Sequence, residues 1–344
     1  MALQTTWFVI ITVVWTGFFV LEGFDFGVGM LVPFLAGDDV ERRVLRATIG
    51  PFWDGNEVWL VVAGGATFAA FPDWYASMFS AYYLPLFIVL VALILRAVAV
   101  ELRDKRPSTR WRHTWDGLTA ASGLLVPLLI GTAFGGLLAG IPLNADHDFT
   151  GGFLDLVQPY ALCTGLLFAT LCLLQGLMFV RLKTTGGLIG RAEAVARIES
   201  WVVVALVAVH MVWTRIVVGS GIIPGLASWL ALTFAVATAW LALHAEEHRG
   251  AAFACSSATM AFTVIGFFAE LYPNLMVSST SAANTIGLAD SSGSYTLTLM
   301  TIVAAVTVPV VLLYTGWSYW VFRQRVTSTD VAPATEAGEP APRL

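Results

Sequence analysis

Glu22, Asp25, Asp54, Glu57 and Arg96 are the residues whose types and spacing could do chemistry. Each lies in, or at the mouth of, a long apolar run, where an ionisable group is costly and functional by default. The acids form two pairs spaced i, i+3, so on a helix each pair shares one face. Arginine does not shed its charge, so Arg96 can hold one or two of the acids ionised. The others lack a cation. A bound proton then serves as their counter-charge, which suits them to take and pass protons. A plainer reading is a buried ion pair of Arg96 with Asp25 or Asp54 that only fixes helix register.

The elements that must position these groups follow from composition. The chain is 58% hydrophobic and 12% charged, against about 25% charged in soluble domains, and its mean hydropathy is +0.78. This predicts an all-α polytopic membrane protein. At about 20 apolar residues per span, about nine spans are expected, at 7–31, 50–71, 74–101, 114–138, 156–181, 198–218, 225–244, 250–272 and 296–322. The first eight group as two four-helix bundles, with the ninth peripheral. The apolar start lacks a basic leader and a small-residue cleavage site, so it reads as the first span and not as a signal peptide. The transmembrane domain is expected to cover 1–326. The Ala-, Pro- and Thr-rich remainder, 327–344 (`TSTDVAPATEAGEPAPRL`), is expected to be a disordered cytoplasmic tail.

Basic residues set the orientation. Arg42, Arg43 and Arg46 follow span 1, and Arg103, Lys105, Arg106, Arg110 and Arg112 follow span 3. Arg181, Lys183, Arg191 and Arg197 follow span 5, Arg249 follows span 7, and Arg323, Arg325 and Arg343 follow span 9. The opposite side carries only Arg215. The positive-inside rule puts the N-terminus outside and the C-terminus in the cytoplasm. The four acids and Arg96 then share one level, roughly 5–12 Å inside the cytoplasmic boundary at about 1.5 Å per residue, and spans 1, 2 and 3 are expected to pack as neighbours. Gly23 and Gly27 in span 1 and Gly55, Gly64 and Gly65 in span 2 permit close helix approach.

Weaker candidates have plainer readings. Asp116 reads as an interfacial charge beside Arg110 and Arg112, and His210 as a hydrogen-bonded core residue. His244 and His248 read as a solvated helix end, and the aromatics of `GWSYW` as an interface belt. Cys163, Cys172 and Cys255 lack paired ligand spacing. No metal or cofactor is expected on this chain, and no Walker, dinucleotide-binding, nuclease or hydrolase pattern is present. Nucleic acid is not an expected partner.

Five stretches together carry a resemblance: `LEGFDFGVGML` (21–31), `ERRVLRATIGPFWDGNEVWLVVAGGATFAAFP` (41–72), `LILRAV` (93–98), `TRWRHTWD` (109–116) and `YTGWSYW` (314–320). In this order and spacing they resemble subunit II of the cytochrome bd-type quinol oxidases. The resemblance implies an inner-membrane complex of bacteria that oxidises quinol from the membrane pool and reduces O2 to water. Haems b558, b595 and d are then expected on partner subunit I, and this subunit, a pseudo-symmetric nine-helix fold, is expected to be haem-free and to conduct protons. Small single-helix accessory subunits and membrane lipids are further partners it allows. Some members hold a quinone in this subunit as a structural ligand; no feature of the sequence marks such a site. By the same resemblance the proton-transferring acid of the `WDGN` motif is Asp54, flanked by Trp53 and Asn56, and Asp25 and Arg96 lie near that route. Glu22 and Glu57 depart from the Asp and Gln of some relatives, and the 6–7 connection is short. From the acids alone, a proton-coupled secondary transporter or a structural scaffold would be the rival.

Overall fold

The computed structural model describes residues 2–219, 221–244 and 246–331. Twelve α-helices account for most of them: α1 (Ala2–Leu35), α2 (Asp39–Ile49), α3 (Trp53–Ala70), α4 (Pro72–Ala81), α5 (Tyr83–Leu102), α6 (Thr109–Ala139), α7 (Phe153–Leu156), α8 (Pro159–Lys183), α9 (Gly187–Val218), α10 (Ile222–His244), α11 (Arg249–Leu271) and α12 (Ser294–Val321). Eight of the described helices are long and apolar enough to cross a membrane. The ninth expected span is α3, whose opening turns hold Asp54, Asn56 and Glu57 and so dilute its hydropathy.

α1 is the axis. From Glu22 to Val32 every residue is buried, the mark of a helix enclosed on all sides. It packs against α3, α6, α8 and α11. One four-helix group holds α1, α3, α5 and α6; the other is a ring of α8, α9, α10 and α11. α1 and α8 cross at two glycines. A Cβ on Gly27 would stand 2.0 Å from the Cys172 carbonyl oxygen, and one on Gly176 would stand 2.4 Å from the Gly27 carbonyl carbon. Only a hydrogen fits at either position.

α12 lies outside both groups, against α3 and α1, and three polar fastenings hold it. The Trp7 indole donates to the Leu297 carbonyl (3.1 Å) and to Thr301 Oγ1 (3.1 Å) near its start. Tyr319 reaches inward to α3. Beyond its end, the Lys183 ammonium donates to the carbonyls of Phe322 and Gln324, satisfying acceptors that a helix C-terminus leaves free.

Several boundaries differ from expectation. The span placed at 74–101 is two helices. The chain leaves helical geometry at Tyr82 (φ −95°, ψ 24°), and Pro85, which has no N–H, sits in the first turn of α5, where none is needed. α9 starts at Gly187 and not near 198, because the charged turns carrying Arg191 and Glu193 continue the helix beyond its apolar part. α3 and α5 are not close neighbours. An apolar cavity of about 310 Å³, lined by Leu60 and Gly64 on one side and Leu86, Leu90 and Leu93 on the other, separates them. In the tail, Ser328–Val331 form a 3-10 turn packed against α2; residues 332–344 lie outside the described residues.

The glycine crossing yields a test. Gly176→Val forces side-chain carbons into the α1 backbone and is expected to destabilise the fold by at least about 1–3 kcal/mol. It should lower the folded yield and the melting temperature in detergent, while Gly190→Ala, where no atom of the described residues lies within 4 Å of an added Cβ, should leave both near wild type.

Candidate functional site

The site is built around the middle of α1. Glu22 and Asp25 are wholly enclosed (0% exposed) on a helix with protein on every side. Arg96 comes in from α5 and is 1% exposed. Its guanidinium donates to Glu22 Oε1, lies 3.9 Å from Glu57 Oε2 and sits 4.7 Å from the centre of the Phe26 ring. A charge that cannot be neutralised by deprotonation is thus met by one buried carboxylate, a second at the edge and an aromatic face.

Asn56 supplies the other half. Its amide nitrogen donates to Asp25 Oδ2 (2.7 Å) and to the Leu21 carbonyl (2.9 Å), and its amide oxygen accepts from the Tyr319 hydroxyl (3.2 Å). Glu22 Oε2, Asp25 Oδ1 and Glu57 Oε2 are buried without a hydrogen-bond donor, and Arg96 Nη2 without an acceptor, among the described residues. Atoms so buried are normally hydrogen-bonded.

The structure therefore brings Glu22, Asp25, Glu57, Asn56 and Arg96 together at one level. The partner of Arg96 is Glu22, and neither Asp25 nor Asp54 takes that place. Asp54 does not enter the buried group. It is exposed on the outer side of α3, one turn before the half-buried Glu57, and Trp53 beside it is partly exposed.

A second charged group lies at the basic end and was not anticipated. Arg103, seven residues beyond Arg96 at the C-cap of α5 and 1% exposed, forms a two-point pair with Asp116 (Nε to Oδ1 2.7 Å, Nη2 to Oδ2 3.0 Å). It also donates to Asp39 and Asp104 (2.7 Å each). Asp116 is thus buried (2% exposed) and not interfacial; in the sequence Arg103 looks like one more loop cation. Arg46 joins Asp104 (2.8 Å), Arg112 joins Asp39 (3.0 Å), Arg191 joins Glu41, and Arg249 approaches Glu193 (3.4 Å). These pairs tie the basic segments that follow α1, α5, α8 and α10 into one end of the molecule. Burial opposes ionisation of Asp39, but the Arg103 hydrogen bond and the charges of Arg103, Arg112 and Arg43 outweigh it and hold its carboxyl below the usual range. The Arg191 hydrogen bond does the same for Glu41.

Tyr319 and Gln175 also escaped sequence reading. Tyr319 sits in a string of interface aromatics, and nothing in the spacing tells which ring turns inward. Gln175 (0% exposed) sits over Gly23, within 2.2 Å of where a Cβ would stand, and donates to Ser257 (3.3 Å); its signal is one amide inside an apolar run. His210 stacks on Tyr160 with ring centroids 5.5 Å apart. Among the described residues no three His, Cys, Asp or Glu side chains gather as metal ligands.

Fold and site together define a polytopic helical membrane subunit with a carboxylate–guanidinium cluster buried in its central helix. The sequence from 3 to 322 matches the family described as cytochrome bd terminal oxidase subunit II, and the chain belongs to that family. It is 40% identical over 335 residues to the cytochrome bd ubiquinol oxidase subunit 2 of Bacillus subtilis, covering 96% of this chain and 98% of that one. It is 34% identical over 371 residues to the cytochrome bd-I ubiquinol oxidase subunit 2 of Escherichia coli K12, covering 97% and 98%. The fold matches a chain of the bd oxidase structure from Geobacillus thermodenitrificans with a TM-score of 0.71 at 16% identity, covering 93% and 97%. Membership of an oxidase family replaces the transporter that the acids alone would also have suited.

Two tests follow from the geometry. Arg96→Leu strands Glu22 as an unpaired buried carboxylate, a loss of about 3–5 kcal/mol. Assembled yield should fall sharply, and adding Glu22→Leu should recover much of it. For Asp39 and Glu41 the sign is that of depressed carboxylates. Their stabilisation is complete above the ordinary carboxylate range, about pH 4, and is lost as pH falls through the lower folded-state values. Thermal stability below about pH 4 should decline less steeply in Asp39→Asn than in wild type.

Proposed function

We propose that this chain is the haem-free member of a quinol-oxidising, O2-reducing complex and conducts protons from the cytoplasm toward haems on the partner subunit. Reducing O2 to water consumes protons along with electrons, and a bare proton does not cross a low-dielectric core. Acids and hydrogen-bonded groups must relay it. The observation that carries the reading is the enclosure of Glu22 and Asp25 in the central helix, within hydrogen-bonding reach of each other and each with one carboxylate oxygen that meets no donor among the described residues.

The roles divide by position. Glu22 is held as the close counter-ion of Arg96, so Asp25, which makes no ion pair among the described residues, and Glu57, more loosely placed at 3.9 Å from the guanidinium, are the groups suited to exchange a proton. Asp54, exposed on α3, suits the seam with the haem-bearing subunit, since lipid is a poor neighbour for a carboxylate. Proton entry from the cytoplasm agrees with the basic segments gathered at one end and with the N-terminus outside. That the similar proteins are ubiquinol oxidase subunits supports quinol as the electron donor.

Asp54→Asn in the assembled complex should keep the haem spectrum and lower oxidase turnover on the order of a hundredfold, the scale of a lost proton-transfer group. Near-normal turnover in an assembled Asp54→Asn complex would remove this residue from the route.

A further inference from the structure

We infer that Tyr319, on the peripheral helix α12, is a positioning residue for Asp25, acting through the amide of Asn56. The amide has two unlike ends. Its nitrogen faces two acceptors, the Leu21 carbonyl and Asp25 Oδ2, and its oxygen faces the Tyr319 hydroxyl at 3.2 Å. With all three contacts made, the amide cannot turn over without setting oxygen against oxygen at Leu21. Asp25 Oδ2 is thereby committed to accepting from Asn56. Oδ1, which meets no donor among the described residues, is left as the oxygen able to carry a proton, with the Glu22 carboxyl in hydrogen-bonding reach of Asp25.

Tyr319 is itself held. Its ring stacks on Phe52 with centroids 4.5 Å apart and an interplanar angle of 19°. Phe52 in turn packs edge-on to Phe24 and lies 5.8 Å below the Lys183 ammonium. Removing the hydroxyl leaves this stack and the Lys183 clasp in place. What it removes is the one partner, among the described residues, of a buried amide oxygen, whose desolvation is then uncompensated. The amide gains freedom to tilt, and its bond to Asp25 weakens. α12 is thus more than a lipid-facing cover, because one hydroxyl on it sets the geometry of an acid on the central helix.

The inference rests on the proton-route reading, and the test separates the two. The complex with its haem-bearing partner is prepared as wild type, Tyr319→Phe and Asp25→Asn. Turnover is measured against pH, and redox-difference infrared spectra are recorded. The carboxyl signal of Asp25 is the one missing in Asp25→Asn. In Tyr319→Phe that signal should shift, the turnover profile should move to the alkaline side because the carboxylate has a weaker donor, and turnover at neutral pH should fall on the order of tenfold. Haem content should match wild type. An unmoved Asp25 signal with an unmoved profile overturns the inference, and so does loss of haem or assembly, which would make Tyr319 a scaffold residue. A shifted signal with turnover indifferent to Asp25→Asn upholds the positioning and sinks the proton route instead.

Discussion

One buried guanidinium constrains the rest of the structure. Arg96 keeps its charge whatever its surroundings, so the fold must bring carboxylates to it or lose several kcal/mol. Glu22 answers from the central helix and Glu57 from α3. That requirement fixes the rotation of α1 about its axis and the depth at which α3 and α5 approach it. It also explains why α3 and α5 can stand apart over an apolar cavity while their polar ends still meet at α1.

Packing follows from the same choice. A helix carrying two enclosed acids must be walled on all sides. Gly27 and Gly176 bring α8 into backbone contact on one flank, and Gln175 of α8 covers Gly23. On the opposite flank Asn56 and Tyr319 close over Asp25. The Arg103–Asp116 group repeats the logic seven residues further on, at the C-cap of α5, with different stakes. It is paired on every side and lies at the mouth of the molecule, so it serves as a clamp for the basic end, whereas the Arg96 group keeps in the interior carboxylate oxygens that no donor among the described residues reaches.

Much of this was legible in the sequence. Long apolar runs gave the helices and their order, and ionisable residues inside those runs gave Glu22, Asp25, Glu57 and Arg96 as a group. Other features were not legible, for physical reasons. Spacing i, i+3 places Asp54 and Glu57 near one face, but a helical turn is wide enough for one to point inward and the other out. Which acid Arg96 would choose depended on helix rotation, which no periodicity sets when α1 is apolar all round. Tyr319 was hidden among interface aromatics, and Arg103 among loop cations. The break at Tyr82 could have been read from Pro85, whose missing N–H favours the start of a helix over its middle.

In the function proposed, protons reach the site of O2 reduction through the acids of this subunit. Its most direct test is the rate of proton uptake after an oxygen pulse, followed with a pH indicator on the cytoplasmic side of the fully reduced complex. Wild type and Asp25→Asn are to be compared at equal haem content. The account predicts slowed uptake in the variant while electron entry from quinol proceeds at the normal rate. Uptake at the wild-type rate in Asp25→Asn would contradict it.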